Sequence, residues 1–279
     1  MMTIFWAIHA SSFCFLLKFM LRAVDLSHMN CVYSLDIGMY NLNPNGEPNN
    51  RTSLGWARIS SGTSSFDGFV QEGALNRFGL EKPWTGGINL AQMAASLAKD
   101  LSDGHRVALG FEAPMWFPIK RNLEAGGRQF EQRFNAEDGR EWYLQSGAAA
   151  TLKATSLGVL LFTMIRLHLP KFKLSTKTTA DRSVIVLFES FVTGNYKIPC
   201  PVGQLRGDVW DAYVGCLAWG VLNHRFQHPI QYTPEALHAA GTQSSNSVAS
   251  VWHHIAGLLE NGLTIDGPPD CEVVGIPCA

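Results

Sequence analysis

The sequence predicts an α/β fold: a single domain built on a mixed sheet with helices packed on it. Three observations carry this. Short apolar runs that end in an acid recur at 31–38, 106–112 and 183–189. Helical stretches alternate with them, at 89–101, 147–168 and 208–222. The chain has 279 residues, 46% hydrophobic and only 16% charged, which is enough apolar material for a sizeable core and excludes a disordered chain. The order strand, strand, strand, helix, strand, helix, strand, helix fits one mixed-sheet domain with additions.

The first run, CVYSLDIG, reads as a buried strand. The Asn-, Pro- and Gly-rich residues 41–53 form a loop, and LGWARISS at 54–61 returns as its hairpin partner. A third strand is expected around 68–73. In 89–101, Leu90, Met93, Ala94, Leu97 and Leu101 recur at helical spacing, with Asn89 as N-cap and Gly104 ending the turn that follows. RVALGFE at 106–112 is a central strand stopped by Pro114. Residues 115–146 read as an irregular insertion or lid.

The stretch 147–168 is an apolar helix with Leu152, Leu157, Leu160, Leu161 and Ile165 as expected core. A basic connection leads to the last central strand, SVIVLFE at 183–189. DVWDAYVGCLAWGVL at 208–222 is a buried helix that starts with acids. An amphipathic helix at 247–259 and a short edge strand at 272–276 complete the chain. We therefore divide it into an N-terminal extension, 1–28, and a single domain, 29–279, carrying the 115–146 insertion.

Residues 1–17 are mostly apolar but interrupted by His9 and two serines. They are short for a membrane span of ~20 apolar residues and lack the basic start of a secretory signal. A packed extra helix, an upstream extension ahead of Met29 and an anchor are the three readings, and no stable membrane association is expected. None of the six cysteines forms a C-x-x-C pair, so a zinc knuckle or redox motif is unsupported. The spacing of Cys271 and Cys278 would permit a disulfide, but a reducing cytoplasm is the expected location. The formal net charge of −1 excludes a general electrostatic attraction to nucleic acid or membrane.

The chemistry lies in the acids. Asp36 and Glu112 each interrupt an apolar strand, and a buried carboxylate needs a partner, a hydrogen-bond network or a metal. A turn-initiating role for Asp36 and an arginine salt bridge for Glu112 are the plainer alternatives. Asp208 and Asp211 stand three apart and share one helix face. Asp208 has a ready role as a helix cap, whereas Asp211 precedes a run that should be buried. Two acids on neighbouring strand ends and two on one helix can enclose a hard cation such as Mg²⁺. A pair of such ions about 4 Å apart can activate water and stabilise the leaving oxygen in phosphodiester cleavage.

The motifs Y-S-L-D-I-G…L-G-W-A-R-I, G-F-E-A-P and D-V-W-D-A-Y-V-G-C-L-A-W, in that order, resemble the ribonuclease-H-like superfamily. They are similar to the opening hairpin, the fourth strand with its terminal metal-binding Glu, and the final helix of RuvC-type resolvases. The E-A-P variant followed by arginines resembles an uncharacterised family of predicted nucleases of that fold. The resemblance covers roughly 31–224. It implies a mixed five-stranded sheet flanked by helices, with an insertion after the fourth strand and C-terminal additions. It also implies Asp36, Glu112 and Asp211 as ligands of Mg²⁺ or Mn²⁺, with Asp208 as a further ligand or supporting acid. The long loop between the first two strands and the insertion depart from the resolvases, so substrate identity does not transfer.

Arg121 and Arg128 in the insertion, with Lys171, Lys173 and Lys177 in the basic connection, are the phosphate-contact candidates; a solvated surface is the alternative. Trp84, Trp116 and Trp142 could stack on bases or simply pack. Glu189 could lie near the acids or pair with an arginine. His224, His228, His253 and His254 have no third ligand and read as structural. The leading expectation is a metal-dependent nuclease acting on structured DNA, RNA or a hybrid. A catalytically weak binding or assembly module follows, and an actin-like-fold phosphotransferase ranks last. A homodimer is compatible with the sequence.

Overall fold

In the computed structural model, the described residues are 31–45, 47–60, 84–118, 146–177, 179, 181–190, 192, 207–222, 248–259, 263–267, 271, 273 and 274. The main sheet is mixed α/β architecture. Its strands are β1 (Cys31–Asp36), β2 (Gly55–Ser60), β3 (Trp84–Gly87), β4 (Val107–Glu112), β6 (Lys173–Ser175), β7 (Val184–Ser190), β9 (Ile265–Asp266) and β10 (Val273–Val274). Seven run in the order β3-β2-β1-β4-β7-β6-β9, and β10 also pairs with β7. A separate two-stranded sheet joins β5 (Trp116–Pro118) to β8 (Val248–Ser250). The helices are α1 (Leu90–Ser102), α2 (Ser146–His168), α3 (Gly207–Leu222) and α4 (Val251–Leu258).

Among the described residues the sheet therefore holds eight strands rather than the expected five. β6 lies inside the basic connection, and β9 and β10 are two residues each. Strands this short show no alternation that a sequence pattern could reveal. The third strand expected around 68–73 and the extension 1–28 fall outside the described residues; the next described strand, β3, begins at Trp84. The expected helix at 247–259 is split, because 248–250 pair with β5 and Ser250 then caps α4 by accepting from the His253 N–H.

Strand alternation sends two sets of side chains to opposite faces. Tyr33, Leu35, Leu109, Phe111, Ile185 and Leu187 enter the larger core, beneath α1, α2 and α4. Val32, Ala57, Ala108, Val186 and Phe188 enter the other, beneath α3. α1 starts as expected, with the Asn89 side chain accepting from the Gln92 N–H, and Gly104 adopts the left-handed φ of +78° just beyond its end.

α2 corrects one core assignment. Leu157, Leu161 and Ile165 are buried and Leu160 packs against the core, but Leu152 is 73% exposed. Gly147–His168 is long and apolar enough to cross a membrane by length and composition alone. Its Ala154–Leu161–Phe162–Ile165 stripe is fully buried against the core, as in a core helix of a globular domain.

One polar network ties α1 to the sheet. Arg58 on β2 donates through Nε and Nη2 to the two oxygens of Asp100 on α1, at 2.7 and 2.8 Å. The Tyr33 hydroxyl also donates to Asp100, and Arg58 Nη2 reaches the Cys31 sulfur at 3.3 Å. Burial pushes the Asp100 carboxyl up, but the Arg58 and Tyr33 hydrogen bonds and the Arg58 charge outweigh it, holding Asp100 below the ordinary carboxylate value. Burial pushes the Cys31 thiol up to about 12, which disfavours its thiolate.

Candidate metal centre

The site forms where the parallel strands end. β1 and β4 run side by side in register from Cys31↔Val107 to Asp36↔Glu112, so each strand's last residue is an acid beside the other. On the far side of β1, Asp36 pairs with Gly55 of β2. Beyond β4, Phe111 pairs with Glu189, so continuing the register sets Ser190 beside Glu112. Gly55, Asp36, Glu112 and Ser190 thus form one row, on the sheet face that α3 covers.

α3 can approach that row because two glycines let it. A Cβ on Gly55 would stand 2.2 Å from the carbonyl carbon of Asp208 and 2.3 Å from the Val209 nitrogen. A Cβ on Gly215 would stand 2.4 Å from Ser34 Oγ and 2.7 Å from Ser190 Oγ. The first turn of α3 therefore crosses directly over β2, and its fourth residue beyond Asp211 rests on the hydroxyls of β1 and β7. Those two hydroxyls bond each other at 2.8 Å, across Gly110. Cys216 donates its weak S–H to the Val32 and Ala57 carbonyls, further along the same contact.

This docking delivers Asp211 to the strand ends. One carboxylate oxygen from each of Asp36, Glu112 and Asp211 lies within 4.8 Å of the other two. Asp211 is 5% exposed, while Asp36 and Glu112 are partly exposed, so the cluster is floored by protein and open on one side. Three ionised carboxylates at this spacing repel by a few kcal/mol per pair at an effective dielectric of about 20. The cluster is therefore suited to hold a cation. An all-oxygen donor set with one open side fits a hard divalent ion that keeps several waters, Mg²⁺ or Mn²⁺.

The remaining site candidates separate from this cluster. Asp208 is half-buried in the first turn of α3, where an acid offsets the helix dipole, and is not among the three converging acids. Lys173 pairs with Val184, at the start of β7, six residues before Ser190. That separates it from the acid row by about 20 Å along the strands. Its side chain instead forms a 3.6 Å ion pair with Asp181. Lys171 precedes it at the same end, and Lys177 is exposed beyond β6. Lys171 and Lys173 are thus not brought to the carboxylates. Arg121, Arg128 and Trp142 lie outside the described residues; Trp84 and Trp116 are strand residues in β3 and β5.

Glu189 faces away from the acids. It is wholly buried on the larger-core side, and its Oε2 accepts from the Met115 backbone N–H at 3.0 Å. Ser34, Ser190, Gly55 and Gly215 are the site's supports that sequence reasoning missed. Ser34 carried a usable signal, as the one polar residue inside the β1 run before its terminal acid. Cys271, one half of the disulfide weighed from spacing, is buried, and Cys278 lies outside the described residues. No protein-family model, curated protein or solved structure matches the chain.

Proposed function

We propose that the protein is a divalent-metal-dependent nuclease of ribonuclease-H-like fold, hydrolysing phosphodiester bonds of nucleic acid. The observation that carries this reading is the convergence of Asp36, Glu112 and Asp211 from two strands and a helix to within 4.8 Å. The motif order supports the fold assignment: the first hairpin is antiparallel, the fourth strand ends in its acid beside the first, and the D-x-x-D helix covers both. Asp36, Glu112 and Asp211 would hold Mg²⁺ or Mn²⁺, with Asp208 at the rim of the same helix turn. A bound ion of this kind supplies Lewis acidity to a phosphodiester and lowers the pKa of an attacking water. The chain's own part is to fix the three carboxylates on rigid elements and to leave one side open for a phosphate and water.

The test is cleavage of end-labelled branched DNA, single strands and RNA–DNA hybrids with Mn²⁺ present. Cutting of at least one substrate is expected, with loss of about 100-fold or more in Asp36→Asn and Glu112→Gln, given that metal centres contribute several kcal/mol to such reactions. The placement of Lys171 and Lys173 at the opposite end of the sheet favours a second reading, a nucleic-acid-binding or assembly module with little catalysis. Wild-type protein that takes up Mn²⁺ yet cuts none of these substrates would favour the second over the first.

A further inference from the structure

The three-residue turn after Glu112 is held from three directions. The Met115 N–H donates to Glu189 Oε2 at 3.0 Å. The Met115 carbonyl accepts from the Val251 N–H at 2.8 Å, at the start of α4. The Pro114 carbonyl accepts from the Thr151 hydroxyl of α2 at 3.0 Å. Ala113 and Met115 are themselves fully buried, so this turn has no water to fall back on. Of the three anchors, only Glu189 belongs to the sheet that carries the acids, one strand over from Glu112 and facing the opposite core.

A carboxylate buried to this depth is costly unless it is satisfied, and its Oε2 is bound to the backbone of this turn. The strand continues straight to Glu112, and where the chain turns there decides how the Glu112 side chain leaves the sheet. We infer that Glu189 is a positioning residue for the metal centre: from the opposite face of the sheet, it fixes the Ala113–Pro114–Met115 turn and thereby aims Glu112 at Asp36 and Asp211. The inference rests on the metal-centre reading above and adds to it a residue outside the ligand cluster. Groups that orient metal ligands without touching the ion commonly alter affinity by about 10- to 100-fold when removed.

Two substitutions separate position from charge. Glu189→Gln keeps a carbonyl oxygen at the same reach but removes the negative charge. Glu189→Asp keeps the charge but is one methylene too short to meet the Met115 N–H. Mn²⁺ affinity is read by calorimetry on each full-length variant, with thermal denaturation recorded in parallel. Leu97→Ala, at a fully buried position of α1, which supplies none of the turn's three anchors, serves as the control for plain destabilisation. The expected result is wild-type affinity within about threefold for Glu189→Gln and Leu97→Ala, and a loss of about tenfold or more for Glu189→Asp. The reverse order, Gln weak and Asp unchanged, overturns positioning in favour of simple electrostatics. Equal affinity in all variants overturns it outright while leaving the metal centre intact. Should Glu189→Asp fail to fold, Thr151→Val removes a neighbouring anchor of the same turn and must weaken Mn²⁺ binding for the inference to stand. A folded wild type that binds no Mn²⁺ removes the metal-centre reading and the inference with it.

Discussion

Asp36 and Glu112 are register partners, the terminal residues of two adjacent parallel strands, with both side chains on the face that α3 covers. The shared register of β1 and β4 sets them side by side, and a slip of one residue would turn one of them to the opposite core. The site is thus a property of the sheet first and of the helix second. Asp211 completes it only because α3 can sit against the sheet at Gly55 and Gly215.

Gly55→Ala tests that docking. The added methyl would meet the Asp208 and Val209 backbone at 2.2–2.4 Å, and backbone in a helix cannot swing aside. The substitution should destabilise the fold by about 1–3 kcal/mol. It should also displace Asp211 and weaken Mn²⁺ binding. Chemical denaturation with a parallel Mn²⁺ titration reads both, and an unchanged midpoint would contradict the close crossing of α3 over β2.

The carboxylates also make a prediction in the absence of metal. Like charges crowded together disfavour the ionised native state. In EDTA at neutral pH, Glu112→Gln should therefore raise stability by about 1 kcal/mol, or roughly 2–4 °C in melting temperature. On adding saturating Mn²⁺ the order should invert, because wild type then gains binding free energy that the variant lacks. Differential scanning calorimetry decides it; a variant less stable in both conditions would show that Glu112 is held mainly by structural partners.

Arg58 and Asp100 give the fold an acid-sensitive link. Asp100's folded pKa lies below its unfolded value of about 3.9, so its contribution is present above that value and lost as pH falls through the folded one. Asp100→Asn leaves the mostly buried Arg58 guanidinium without its bidentate partner and should cost about 3–5 kcal/mol at pH 7. The difference between wild type and variant should shrink steadily below about pH 4 in urea melts. A difference independent of pH down to 2 would contradict the ionised pair.

The acids at strand ends were legible because each breaks an apolar run. Glu112-Ala-Pro marks its own stop, and the i, i+3 spacing put Asp208 and Asp211 on one helix face. What sequence could not show is depth: both belong to the first turns of α3, yet only Asp211 reaches the cluster while Asp208 lies over Gly55. Leu152 was expected in the core because α2 is apolar nearly all round, and composition does not say which stripe meets the sheet. β6 was hidden for the opposite reason. Its one leucine, Leu174, sits between Lys173 and Ser175, and a three-residue strand is too short to display a period. Glu189 and Ser190 show how fine the limit is. The apolar run ends at Glu189, but pleat parity places Ser190, not Glu189, beside the acids.

The most direct test of the central claim is calorimetric titration of the folded, metal-stripped chain with Mn²⁺, beside Asp36→Asn. Saturable binding by wild type, weakened at least about tenfold in the variant, is the expected result. A wild-type protein with an intact circular-dichroism spectrum that takes up no Mn²⁺ would contradict the metal centre, and with it the nuclease reading.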